Sequence, residues 1–159
     1  MFARKNHSLV ALAAGAMLTF TTAAFAGGCP ADKVVADGQG QKPSAAPAKG
    51  VTDTVLGSIE LANQPVGVQD RVFRMRRLSI KPGGVVPWHS HDDRPALIYV
   101  AVGQVTEYAS SCAVPIVHNP GDVAQEIKGT SHWWQNTGSG PAVLISADLL
   151  RQADDAHMM

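Results

Sequence analysis

The sequence is short of several things, and each shortage narrows the reading. There is no net charge, because 13 basic and 13 acidic side chains balance over 159 residues. Nucleic-acid binding calls for a strongly basic face, and this composition offers none. Aromatic residues are few, at 6%. Cysteine is limited to Cys29 and Cys112, so at most one intramolecular disulfide can form. No internal repeat of useful length is visible, and the length suits one domain and hardly two. What is plentiful is apolar side chain, at 45%, enough by composition for a packed core.

The first 26 residues read as a secretory signal peptide. Arg4 and Lys5 form a basic start, an uncharged run with Leu9, Val10, Leu12, Leu18 and Phe20 follows, and Ala24-Phe25-Ala26 is an A-x-A cleavage pattern. An uncleaved anchor is the alternative, and Ala26-Gly27-Gly28 is a poor lipobox for a lipid on Cys29. A cut after Ala26 removes two bases and no acid, leaving 11 basic against 13 acidic side chains and a net charge of −2. The mature protein is expected to be periplasmic or secreted and free of the membrane. Export puts both cysteines in an oxidising compartment. A Cys29–Cys112 bridge would close a loop of more than 80 residues, worth roughly 4–5 kcal/mol in the chain-entropy model; two unpaired thiols are the alternative.

Three zones follow. Residues 27–50 hold Gly, Pro, Ala, Lys and Gln with almost no large apolar side chain, a linker or loose arm. Residues 51–150 form the domain, and residues 151–159 a short polar tail. Within the domain, short β-branched runs alternate with Gly and Pro punctuation such as Lys81-Pro82-Gly83-Gly84, Asn119-Pro120-Gly121 and Gly138-Ser139-Gly140-Pro141. The spacing predicts strands at 55–61, 72–80, 85–89, 97–102, 104–108, 114–117, 123–127, 132–136 and 142–149, and any helix only from Leu149 onward. That pattern means an all-β sandwich or barrel.

The chemistry concentrates in Trp88-His89-Ser90-His91 and in His132. On a strand, residues i and i+2 face the same way, so His89 and His91 can aim at one point. A third imidazole from a facing strand would complete three ligands with positions left open, as catalytic metal sites have. Together these stretches resemble the cupin superfamily. Its first motif, G-x5-H-x-H-x4-E-x6-G, reads here Gly83, His89, His91, Ala96, Gly103; its second, G-x5-P-x-G-x2-H-x3-N, reads Gly121, Ile127, Gly129, His132, Asn136. The resemblance implies a single jelly-roll barrel with one divalent transition metal (Fe, Zn, Mn, Ni or Cu) on His89, His91 and His132. It also implies a small-molecule ligand and leaves a homodimer open.

Ala96 stands where the family has a metal-binding Glu, and Ala cannot coordinate. Some three-His oxygenases of the superfamily work without that carboxylate, and its loss makes the site more cationic, favouring an anion. Asp92 and Asp93 could reach the metal but suit a solvated turn better. Glu126, at a position where the family is usually apolar, could accept from an imidazole, move a proton as a catalytic group, or be an exposed strand residue. Trp134 and Asn136 share the face of His132 and should point inward, Trp134 as core or as substrate wall; Trp133 should point out. Arg76, with Arg74, shares parity with Leu78 and Ile80. If that face is interior, Arg76 could bind a substrate carboxylate; an arginine-rich surface strand is the simpler reading. Tyr99 and Tyr108 read as packing residues, and His118 and His157 as solvent-exposed. Two function classes remain: a metal-dependent enzyme, an oxygenase first, or a barrel that holds a ligand or metal without turnover.

Overall fold

The computed structural model describes residues 27–152; the signal peptide expected over residues 1–26, His7, His157 and most of the polar tail lie outside the described residues. Eight strands make up the domain: β1 (Lys49–Glu60), β2 (Arg71–Ser90), β3 (Ala96–Val102), β4 (Val105–Ala109), β5 (Ile116–His118), β6 (Val123–Glu126), β7 (Ser131–Gln135) and β8 (Ala142–Arg151). Every strand pairing is antiparallel, and the order across the sheet is β5-β4-β7-β2-β8-β3-β6, with β1 added to β2. The sheet curls into a nearly closed barrel. Its two end strands, β5 and β6, are not paired with one another, which leaves a seam.

Two expected strands are one. β2 runs on through Lys81-Pro82-Gly83-Gly84, where the pairing with β1 shifts register. Its first half, to Ile80, pairs with β8; its second half, from Val85, pairs with β7. The helix allowed from Leu149 onward is not formed by the described residues of that stretch, Leu149–Gln152. β8 extends to Arg151 because Arg71–Ile80 offers a complete ladder of partners to Ala142–Arg151. Alternation explains the rest: β8 is buried at every second residue from Ala142 to Leu150, and β3 alternates from Ala96 to Val100. The inward set of Leu78, Ile80, Val86, Ile98, Val100, Trp134 and Leu144 forms the core. Full burial of an aliphatic side chain such as Ile80 or Leu144 stabilises by roughly 1.5–3 kcal/mol.

Residues 33–41 run beside the end of β4 and its following turn. Val34 bridges Cys112, and Gly40 and Gln41 donate to the Ser110 and Ala109 carbonyls at 2.7 and 2.9 Å. The approach at Gly40 is so close that a β-carbon there would lie 2.3 Å from the Cys112 carbonyl oxygen, which only glycine tolerates. Cys29 and Cys112 are joined by a disulfide, with their Cα atoms 5.8 Å apart. Among the described residues no helix is long and apolar enough to cross a membrane.

Candidate metal centre

Strand register brings the histidines together. His89, near the end of β2, is directly paired with His132 of β7. His91 follows just past β2, held by its amide donating to the Thr130 carbonyl at 2.9 Å. The three ring centroids are 4.6–4.8 Å apart.

Each ring has one nitrogen occupied by the protein. His89 Nδ1 lies 2.9 Å from the Pro87 carbonyl oxygen and His91 Nδ1 2.7 Å from that of Arg94. A carbonyl only accepts, so in both rings the proton sits on Nδ1 and Nε2 is left as a lone-pair donor. His132 Nδ1 lies 2.6 Å from Glu107 Oε1, which directs its Nε2 inward as well. The Nε2 atoms of His89 and His132 are 3.2 Å apart.

A carboxylate completes the set. Glu126 Oε2 is 3.0 Å from His91 Nε2, and Oε1 is 3.2 Å from His132 Nε2. All four ligand atoms lie within 4.8 Å of one another, a set able to hold a metal ion. His91 Nε2 is buried without a hydrogen-bond partner among the described residues. An orphaned lone pair beside a carboxylate and two further imidazole nitrogens is what a divalent transition metal would satisfy.

Glu126 of β6 is the register partner of Ala96 of β3. Both are buried, on adjacent strands of the inner wall. A carboxylate is thus present in the centre, one strand over from the position where the resemblance placed it. Asp92 and Asp93 are not in the cluster. Asp92 is exposed and accepts from the Gly129 amide at 2.9 Å, while Asp93 pairs with Arg71 at 2.6 Å and with Arg151.

The charges reinforce one another. Burial, and then the nearby positive charge of His132, push His89 down to about 3, so it is neutral at pH 7. Burial also lowers His91. For His132, burial acts downward but is outweighed by Glu126 and Glu107, which lift it to about 10. Burial would raise Glu107, yet the hydrogen bonds from His118 and His132 hold it at about 2. Glu126 is lowered too, with the attraction of His132 overcoming its burial. Without metal the centre therefore holds an imidazolium between two carboxylates.

Sequence reasoning missed Glu107. Its signal was parity: Glu107 shares the inward face of β4 with Val105 and Ala109. His118, expected at the surface, is instead fully buried, because it shares the inward face of β5 with Ile116. Its Nε2 donates to Glu107 Oε2 at 2.9 Å, and its ring stacks on Trp134 with centroids 4.6 Å apart.

The surface reading of Arg74 and Arg76 is likewise overturned. They are 2% and 5% exposed, facing Asp148 of β8. Arg74 holds Asp148 with two bonds of 3.0 and 2.8 Å, Arg76 lies 3.2 Å from the same carboxylate and also bonds Asp53, and Arg94 is 3.5 Å away. Trp134 is buried and lines an internal pocket with Arg76, His89, Glu126, Leu78 and Leu144. The pocket holds only ≈ 20 Å³, room for a water or an ion. Trp133 is half-buried, stacked on Tyr108 with centroids 3.9 Å apart. Asn136 points inward but braces the turn before β8, donating to the Ile80 and Gly140 carbonyls at 2.8 and 2.9 Å. Tyr99 is exposed.

A family model described as a cupin domain matches residues 76–148. Among solved structures, KdgF from Halomonas sp. is similar at a TM-score of 0.52 and 16% identity, covering 70% of this chain and 86% of that one. A protein with a double-stranded beta-helix domain from Klebsiella pneumoniae gives a TM-score of 0.52 at 19% identity, with coverage of 69% and 85%. Oxalate oxidase in complex with the substrate analogue glycolate gives 0.50 at 19% identity, covering 70% of this chain and 55% of that one. At these identities the likeness is one of fold. No curated protein matches the sequence.

Proposed function

Because the chain belongs to the cupin superfamily, we propose that it is an exported protein with a mononuclear divalent-metal centre on His89, His91, His132 and Glu126, serving as an oxygenase for a small anionic molecule. The observation that carries the reading is the convergence of three Nε2 atoms and one carboxylate, with every Nδ1 held by a protein acceptor. His89, His91, His132 and Glu126 would hold the metal. A metal bound there supplies Lewis acidity and, where it is iron, manganese or copper, one-electron chemistry.

The chain's own residues do the rest. Glu107 accepts the Nδ1 proton of His132 and fixes that ring's direction. Leu78, Val86, Ile98, Trp134 and Leu144 exclude bulk water from the pocket. Arg74, Arg76 and Arg94 gather around the Asp148 carboxylate, and Arg76 also bonds Asp53. Arg76 carries its guanidinium to the wall shared with His89 and Glu126, a cation placed to meet an anionic group of a small substrate. The cavity has room for a water or an ion, so only a small end group of a substrate would enter it.

Export rests on the basic start, apolar run and A-x-A site, and the disulfide is compatible with it. The test is metal analysis of protein purified from the native envelope, followed by oxygen-uptake assays with small carboxylates. About one transition metal per chain and substrate-dependent uptake are expected. Protein that retains no metal and recovers none on dialysis against iron, manganese, copper, nickel or zinc would sink the proposal. The tightness of the cavity also favours a second reading, a metal-binding barrel without turnover; stoichiometric metal with no oxygen uptake would select it.

A further inference from the structure

The seam between β5 and β6 contains an unmet chemical demand. His118 Nε2 donates to Glu107, so its Nδ1 is an acceptor, and that atom is buried without a hydrogen-bond partner among the described residues. A buried acceptor left empty is destabilising, because it has given up its water without a replacement. The backbone beside it belongs to Gly27. A carbon added to the Gly27 Cα would lie 3.0 Å from His118 Nδ1, 3.0 Å from Asp122 Cβ and 3.2 Å from the Val123 carbonyl oxygen. Gly27 therefore spans the seam from the end of β5 to the start of β6. Its φ of +89° and this crowding both demand glycine. Two residues on, the Cys29–Cys112 disulfide pins the segment. Behind Gly27 and Cys29 a cleft of ≈ 360 Å³ reaches Glu107, Ile116 and Ala124.

Gly27 is also the residue that follows the A-x-A site. We propose that cleavage after Ala26 makes a structural group: the α-ammonium of Gly27 seats in the seam, donates to His118 Nδ1 and pairs with the Asp122 carboxylate. Cleavage adds water across the Ala26–Gly27 peptide bond, leaving a carboxylate on Ala26 and an amine, protonated at neutral pH, on Gly27. The amine hangs from the same α-carbon, which sits beside His118 Nδ1, Asp122 and the Val123 carbonyl, and it carries three N–H donors free to turn toward them. The uncleaved amide offers one N–H and no charge, and carries Ala26 on its nitrogen. The seated ammonium completes a buried chain from Gly27 through His118 and Glu107 to His132. His118 and Glu107 are then positioning residues, and the metal centre reaches its full affinity only after processing. This rests on the proposed metal centre and on the proposed cut.

Three proteins test it: one beginning at Gly27, one beginning at Ala26, and the first with its α-amine acetylated. Each is assayed for cobalt(II) affinity, for Tm in chelator, and for the His118 side-chain 15N shifts. The chain beginning at Gly27 should bind cobalt about tenfold more tightly than the other two, the scale of losing an outer partner of a ligand. It should also melt higher without metal and show a hydrogen-bonded His118 Nδ1. Asp122→Asn should shrink its advantage. Equal Tm values and equal His118 shifts in all three proteins would overturn the inference, as would native protein whose first residue is not Gly27. A higher Tm and shifted His118 in the Gly27 chain, with cobalt bound by none of the three, would uphold the seam contact and refute the metal centre.

Discussion

Glu126→Gln isolates the charge of the proposed fourth ligand, because glutamine keeps the volume and loses the carboxylate. In the metal-free protein Glu126 Oε1 is 3.2 Å from His132 Nε2. At an effective dielectric of about 20, unit charges at that distance attract by about 5 kcal/mol, and a divalent ion in place of the proton by about twice that. Desolvating the ion and the carboxylate returns several kcal/mol of it. A net of about 3–4 kcal/mol remains, or a loss of two to three powers of ten in metal affinity. Competition titration with zinc or cobalt against a chromogenic chelator reads this range directly. The register of Ala96 with Glu126 gives a second arm. Ala96→Glu in the Glu126→Ala background moves the carboxylate one strand sideways and should recover most of the affinity. Ala96→Glu alone sets two carboxylates side by side and should lower stability. A Glu126→Gln protein within threefold of the parent would refute the assignment of Glu126 to the centre.

Glu107→Gln should weaken metal binding about 10- to 100-fold through loss of His132 orientation; an unchanged zinc titration would show that Glu107 only fills space. Asp148→Asn removes the carboxylate shared by buried Arg74 and Arg76 and part-buried Arg94, so urea unfolding should show a loss of about 3–5 kcal/mol, and a change under 1 kcal/mol would contradict the buried network. The metal-free protein should be most stable near pH 6.5, measured as Tm against pH in chelator. His89, held by burial at about 3, is stabilising when neutral above 6.5, and that contribution is lost as pH falls toward 3. His132, at about 10, contributes fully below 6.5 and loses that contribution as pH rises through 10. A Tm flat from pH 5 to 9 would exclude this arrangement of charges.

Much of the fold was legible because two-residue alternation and Gly/Pro punctuation are local signals. The merging of two runs into β2 was not, since Pro82-Gly83-Gly84 looks locally like a turn and only the pairing with β1, β7 and β8 shows a bulged continuation. The histidine pattern was readable from spacing. Glu126 was named but could not be placed, because its pairing with Ala96 is a cross-strand relation between residues 30 apart. Glu107 and His118 lie outside any motif and gain their meaning only from each other and from His132. The burial of Arg74 and Arg76 became intelligible only with Asp148, which no local pattern links to them.

The long β2 strand has a consequence for when this protein can fold. Its first half is zipped to β8, the last strand among the described residues, with Arg71 opposite Arg151. No barrel can close around a nascent chain that lacks its C-terminal strand, and the high sequence separation of these contacts makes closure slow. The order of the strands thus sets a sequence in time: the barrel stays open until β8 has been made, however complete the strands before it are.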